Sequence, residues 1–167
     1  MSTANRVSFQ TTSVAKTRAF GKKLARLLRP GDVVLLQGPL GAGKTALTQG
    51  IGQGLGLETA VTSPTFILVA AHAAAEEGAA RGGTPLYHAD LYRLTDPFEV
   101  IELHLEEQAA DGVLVVEWPE RALEELPDEH LLIVIETDPK RPDERRLTCV
   151  ASGVRYQQLV DGLQARR

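Results

Sequence analysis

The run Gly38-Pro39-Leu40-Gly41-Ala42-Gly43-Lys44-Thr45 fits the pattern G-x-x-x-x-G-K-[ST] without deviation, and each fixed position has a chemical job. Glycines let successive backbone N–H groups turn inward and wrap a chain of phosphates. Lys44 brings a point charge for the β- and γ-phosphates, and the Thr45 hydroxyl is a ligand for Mg²⁺. Gly38, Leu40, Gly41, Ala42, Gly43, Lys44 and Thr45 are therefore the expected nucleotide contacts. The flanks agree. Residues 32–37 form a short apolar run ending at Gly38, as a buried strand feeding the loop should look, and Leu47, Ile51 and Leu55 follow at helical spacing. Strand, glycine loop and helix is the context this motif needs, because the helix N-terminus adds partial positive charge beneath the phosphates.

Such a loop needs a further acid, usually at the C-terminal end of an apolar strand beside the loop strand. Two residues qualify: Glu117 ends Val113-Leu114-Val115-Val116, and Asp90 ends the run 85–89. One can hold Mg²⁺, directly or through water, while the other orients an attacking water. Strand quality favours Glu117 on the metal side. The bland alternative for each is a strand-end carboxylate capping the next turn. Ser63-Pro64-Thr65 is either a switch-like segment whose hydroxyls sense a terminal phosphate or an ordinary turn into a strand. Tyr92 and Arg93 follow Asp90 directly, and Arg93 either neutralises phosphate or pairs with a nearby acid. Trp118, beside Glu117, either stacks near the nucleotide or packs in the core. The four histidines lack metal-ligand spacing. For His88, on a strand with Asp90, a satisfied structural role is the default reading.

Several elements must position these groups. Residues 7–9 read as an edge strand. Ser13 is an N-cap for an amphipathic helix marked by Val14, Phe20, Leu24, Leu27 and Leu28, which Arg29-Pro30-Gly31 ends. Glycines 50, 52 and 54 suit a thin helix face for close packing, and Gly56 a C-cap. Residues 65–70 and 85–90 read as strands joined by an Ala/Gly-rich loop from His72 to Gly83, hence as an antiparallel pair. A helical stretch over 98–108, a strand at 113–116, strands at 131–135 and 146–150, and a helix over 153–166 complete the chain. The alternation predicts an α/β, three-layer P-loop NTPase fold with a mixed, mostly parallel central sheet including an antiparallel hairpin.

At 167 residues the expectation is one domain over 1–167. No apolar run approaches the ~20 residues of a membrane span, and residues 1–10 lack a signal-peptide layout, so a cytoplasmic location is expected. A net charge of −4 argues against broad electrostatic binding to nucleic acid, and the basic spots at Arg141, Arg145-Arg146 and Arg166-Arg167 read as solvated surface. The single cysteine, Cys149, excludes an internal disulfide and reads as an inert core residue.

The ordered set Gly31-Asp32, Gly38–Thr45, Thr62-Ser63-Pro64-Thr65-Phe66, His88-Ala89-Asp90-Leu91-Tyr92-Arg93-Leu94 and Glu117-Trp118-Pro119-Glu120-Arg121 resembles the TsaE family (formerly YjeE) of small P-loop ATPases. The resemblance runs from the Ser13 helix to about Arg121, and little family signal follows Leu131. It implies slow intrinsic ATP hydrolysis with Mg²⁺, tied to the partner proteins TsaD and TsaB, which transfer a threonylcarbamoyl group to adenosine 37 of tRNA. The tRNA would be met indirectly, through that complex. The resemblance further implies that Lys44 contacts phosphate, Thr45 and Glu117 hold Mg²⁺, Asp90 is needed for hydrolysis, Ser63–Thr65 is switch-like, and Trp118 falls beside the nucleotide. The Ala/Gly-rich loop 71–83 departs from the usual family pattern. Two other functions suit the same loop: a small-molecule kinase, and a non-catalytic module that holds ATP as a structural ligand.

Overall fold

Seven strands run along the computed structural model, which describes residues 5–57, 61, 69–73 and 83–166. They are β1 (Arg6–Thr11), β2 (Val33–Gln37), β3 (Val69–His72), β4 (Leu86–Asp90), β5 (Val113–Glu117), β6 (His130–Asp138) and β7 (Arg141–Ser152). The helices are α1 (Val14–Ala25), α2 (Lys44–Gly54), α3 (Glu99–Glu102), α4 (Leu105–Gln108) and α5 (Val154–Ala165). The strands form one sheet ordered β1-β7-β6-β2-β5-β4-β3. Pairing is parallel through β6, β2, β5 and β4, and antiparallel at β1–β7, β7–β6 and β4–β3. The sheet is mixed as expected, but half rather than most of its pairings are parallel, and these are confined to the centre. The expected antiparallel pair is β3–β4, and β6–β7 form a second antiparallel hairpin.

Composition follows position in the sheet. Val33–Leu36 and all of β5 are buried, as central parallel strands covered on both faces must be. Alternate residues then feed two cores. Val34, Leu36, Val113 and Val115 pack with Phe20, Leu24, Leu47, Ile51, Leu159 and Leu163 from α1, α2 and α5. Val33, Leu35, Leu114 and Val116 pack with Leu94, Val100, Leu105 and Leu126 on the other face. Two apolar clusters on one sheet give three layers, and among the described residues the layer over the second cluster is built of single helical turns.

Local capping accounts for the helix ends. Ser13 Oγ accepts the Lys16 N–H at 3.1 Å and starts α1. At the end of α2, Gly56 has φ +78°, its N–H donates to Gln53, and the Leu57 N–H reaches back to Gly52, which is a complete Schellman stop. Glycine is also required where α1 crosses α2: a Cβ on Gly50 would lie 2.2 Å from the Arg18 carbonyl oxygen.

Several boundaries differ from expectation. Helix α1 ends at Ala25, before the Arg29-Pro30-Gly31 stop. The stretch 98–108 is two single turns, α3 and α4, because His104 adopts a left-handed conformation at φ 46° between them. His72 belongs to β3 rather than to the loop after it. Strands β6 and β7 are longer than read, since their outer ends are polar and exposed and so carry no alternation signal. Ser63 and Thr65, and most of the Ala/Gly-rich loop, lie outside the described residues. Among the described residues no helix is long and apolar enough to cross a membrane. Cys149 is wholly buried, and burial pushes its thiol up to about 12, so it is inert as expected.

Candidate nucleotide and metal site

The loop Gly38–Thr45 leaves the C-terminal end of β2 and enters α2 at Lys44. Gly41 and Gly43 have φ of +77° and +104°, values that L side chains rarely adopt. These two glycines let the loop curl back on itself, with the Ala42 N–H donating to Pro39 at 3.0 Å. Lys44 Nζ lies under the loop, donating to the carbonyls of Gly38 at 2.6 Å and Pro39 at 2.9 Å. It also sits 4.0 Å from the Trp118 ring centroid. Burial lowers its pKa, and the nearby Glu117, Glu120 and Asp90 oppose that shift.

Strand register delivers the acids. Leu36 of β2 pairs with Glu117 of β5, and Asp90 of β4 pairs with the same Glu117, so both carboxylates reach the end of the sheet where the loop begins. Glu117 is 3% exposed. Its Oε1 meets Thr45 Oγ1 at 3.3 Å and His88 Nε2 at 2.9 Å. Thr48, one turn beyond Thr45, lies 3.5 Å from the same oxygen but spends its proton on the Lys44 carbonyl at 2.9 Å. Asp90 is half-buried and accepts the Tyr92 N–H at 3.0 Å. Burial raises its pKa, the Tyr92 N–H opposes that rise, and the neighbouring Glu117 adds to it.

The aromatic wall comes from a strained turn. Trp118 has φ 57°, a left-handed value for a bulky residue, and the following Pro119 disfavours the right-handed alternative. The turn sets the indole against Tyr92, with centroids 4.9 Å apart, while Arg121 lies 5.6 Å from the Tyr92 ring centroid. One cleft is thus lined by residues 40–45 with Asp90, Tyr92, Glu117 and Trp118. Gly38 stands behind it as the Lys44 acceptor, and Arg93 is exposed outside the lining. Chemically, the donor set fits Mg²⁺: a hydroxyl and a carboxylate, both hard oxygens, converge beside a loop of the phosphate-binding pattern, and Mg²⁺ typically takes one or two carboxylates plus substrate phosphates.

One contributor was not visible in the sequence. Arg145 of β7 was read as solvated surface, yet its Nε donates to Ala42 O at 2.8 Å and its second terminal nitrogen to Gly41 O at 3.4 Å. The guanidinium also donates to Glu144 O at 2.9 Å and to Pro142 O in its own hairpin. It therefore braces the loop through the carbonyls of Gly41 and Ala42. Arg145→Ala is expected to weaken nucleotide binding roughly tenfold, about 1.4 kcal/mol, as the loop loses charge-assisted hydrogen bonds. Fluorescence of Trp118, the single tryptophan, checks this by titration, and an unchanged affinity would reject the brace.

Comparison with known proteins follows the same lines. A sequence model of the family described as "Threonylcarbamoyl adenosine biosynthesis protein TsaE" matches residues 11–147. A tRNA threonylcarbamoyladenosine biosynthesis protein TsaE of Bacillus subtilis is 40% identical over 158 residues, spanning 94% of this chain and 93% of the relative. One of Streptomyces coelicolor is 47% identical over 120 residues, or 71% of this chain and 78% of the relative. The crystal structure of YdiB from Bacillus subtilis superposes with a TM-score of 0.75 and 35% identity, covering 96% of this chain and 95% of the other.

Proposed function

The chain belongs to the TsaE family of tRNA threonylcarbamoyladenosine biosynthesis, and from that premise we propose that it is a cytoplasmic, single-domain, Mg²⁺-dependent ATPase that cycles the TsaD–TsaB complex. The observation that carries the reading is the convergence of Lys44, Thr45, Glu117 and Asp90 in one cleft at the mouth of the phosphate loop. A nucleotide that holds structure alone needs the loop but not two adjacent carboxylates beside it.

In this reading Lys44 exchanges the Gly38 and Pro39 carbonyls for the β- and γ-phosphates, and the loop amides hold the rest of the chain. Thr45 and Glu117 hold Mg²⁺, which when bound neutralises charge on the phosphate oxygens. Asp90, on the next strand, orients and deprotonates the attacking water. Trp118 and Tyr92 wall the site, and Arg93, exposed outside the lining, is assigned a phosphate or partner contact in this reading. Ser63 and Thr65 act as the switch that senses the terminal phosphate. Among the described residues the cleft lining holds no arginine, which supports slow hydrolysis alone and completion by a partner.

The test is ATP hydrolysis by the purified chain alone and with TsaD, TsaB and tRNA, with Lys44→Ala alongside. Slow turnover alone, a rise with the partners and loss in Lys44→Ala are expected. Turnover indifferent to the partners would reject the coupling, and consumption that rises instead with a nucleoside or small metabolite would favour a kinase.

A further inference from the structure

His88 sits in the middle of β4 with both neighbours in the chain paired into the sheet. Strand alternation puts it on the face of Leu86 and Asp90, over the apolar cluster that also holds Val113 and Val115. It is wholly buried. An ordinary core position there would take an aliphatic side chain, as its neighbours do. Instead the site accepts an imidazole whose Nδ1 has no hydrogen-bond partner and is shut from solvent. Leaving a buried polar atom unmet costs about 1–3 kcal/mol, so a satisfied structural histidine does not describe this residue.

The other nitrogen explains the choice. Nε2 lies 2.9 Å from Glu117 Oε1. With the carboxylate oxygen as acceptor, Nε2 is the donor of this bond, and Nδ1 is the nitrogen left without a partner. Among the described residues this is the shortest hydrogen bond to the Glu117 carboxylate. Thr45 stands at 3.3 Å, and Thr48 has given its proton elsewhere. All three approach Oε1, and among the described residues no hydrogen bond is made to Oε2. The donors thus gather on one oxygen and leave the other for a ligand.

We infer that His88 is a positioning residue: its Nε2–H fixes the Glu117 carboxylate so that the remaining oxygen serves the divalent cation beside the phosphate loop. This rests on the reading of Glu117 as the metal-side acid. Groups that hydrogen-bond a metal ligand from behind typically govern metal affinity by 10–100-fold.

Glutamine can place an amide N–H near the position of Nε2, whereas asparagine is too short, so the two variants separate the donor from mere polarity. Mn²⁺ binding to the full chain with ADP would be followed by the free-ion paramagnetic signal. Metal-free ADP affinity would be read from Trp118 fluorescence in EDTA, and folding from the melting temperature. His88→Gln is expected to keep Mn²⁺ affinity. His88→Asn and His88→Met are expected to lose roughly 10–100-fold while metal-free ADP binding stays unchanged. Glu117→Gln serves as the control arm. If it leaves Mn²⁺ affinity intact, the metal reading of Glu117 fails and the inference with it. If Glu117→Gln weakens Mn²⁺ but His88→Asn and His88→Met do not, the role of His88 alone is overturned. Equal loss in folded Gln and Asn variants would also overturn it, because the Nε2 donor would then not be what matters. Asparagine and glutamine bury the same amide group, so the pair can be compared as folded protein.

Discussion

Arg155→Ala is expected to lower the unfolding free energy by about 3–5 kcal/mol while leaving nucleotide affinity unchanged. The cause lies at the end of β2 opposite the phosphate loop. Asp32 is 3% exposed and accepts a bidentate pair of hydrogen bonds from one edge of the Arg155 guanidinium, with Nε to Oδ1 at 2.9 Å and a terminal nitrogen to Oδ2 at 2.6 Å. The same guanidinium donates to Leu27 O at 2.7 Å, and the Arg29 N–H adds a bond to Asp32 at 2.9 Å. Next to it, Val33 N–H donates to the Tyr156 hydroxyl at 2.8 Å. Together these contacts fasten α5 and the loop after α1 to the start of the central strand. Removing Arg155 strands a buried carboxylate. Removing Asp32 strands a cation whose side chain is 20% exposed and can turn outward, so Asp32→Ala should cost less. The double variant should cost less than the sum, since no unpaired charge is left. In melting temperature the Arg155→Ala loss corresponds to roughly 6–20 °C for a chain of this size. A loss below about 1 kcal/mol would show that the pair is solvated and unimportant to the fold.

Asp32 also illustrates what sequence carries and what it does not. Gly31-Asp32 stands out as a motif, but its partner is 123 residues away on a helix that carries no comparable signal. The glycine loop is legible because its signal is local: eight consecutive residues carry the motif, and two of its glycines take the left-handed conformations it needs. Glu117 and Asp90 are legible as strand ends, and the sheet register then brings them side by side. The glycines of α2 are legible as a thin helix face, though only the crossing with α1 shows that Gly50 meets Arg18. Arg145 and His88 defeat the sequence for the same reason as Arg155. Arg145 lies among exposed polar residues whose pattern resembles any surface strand, and its acceptors are backbone carbonyls, which leave no trace in side-chain type. His88 looks like one polar residue in a buried strand until its orphaned nitrogen is seen beside a satisfied one. The break between α3 and α4 is invisible because His104 takes a left-handed conformation that its residue type only weakly favours.

Asp90→Asn is expected to reduce ATP hydrolysis by about 10²–10⁴-fold, the usual worth of a positioned general base, with Mg²⁺–nucleotide binding retained. It should at the same time make the protein more stable at neutral pH. Burial, reinforced by Glu117, raises the Asp90 pKa above its ordinary value. The folded state therefore holds the proton more tightly than the unfolded chain. Between the unfolded pKa near 3.8 and the raised folded value, the folded state binds more protons, so stability falls as pH rises through that window. Above it the ionised Asp90 imposes a constant cost, which the neutral amide of asparagine removes. The same raised pKa moves the acid limb of the activity profile upward from where an unperturbed aspartate would put it, since a base must be ionised to accept a proton. Glu117→Gln should differ in metal binding, which it loses together with hydrolysis. Single-turnover hydrolysis, Mn²⁺ binding and melting temperature against pH, measured on both variants, separate the two acids. An Asp90→Asn protein that still hydrolyses ATP at the unaltered rate would remove Asp90 from the chemistry. One that melts lower at pH 7 would mean that its carboxylate stabilises the fold through the Tyr92 turn rather than straining it. A gain in stability with a loss of turnover would mark Asp90 as a group kept at a cost to the fold for the sake of the reaction.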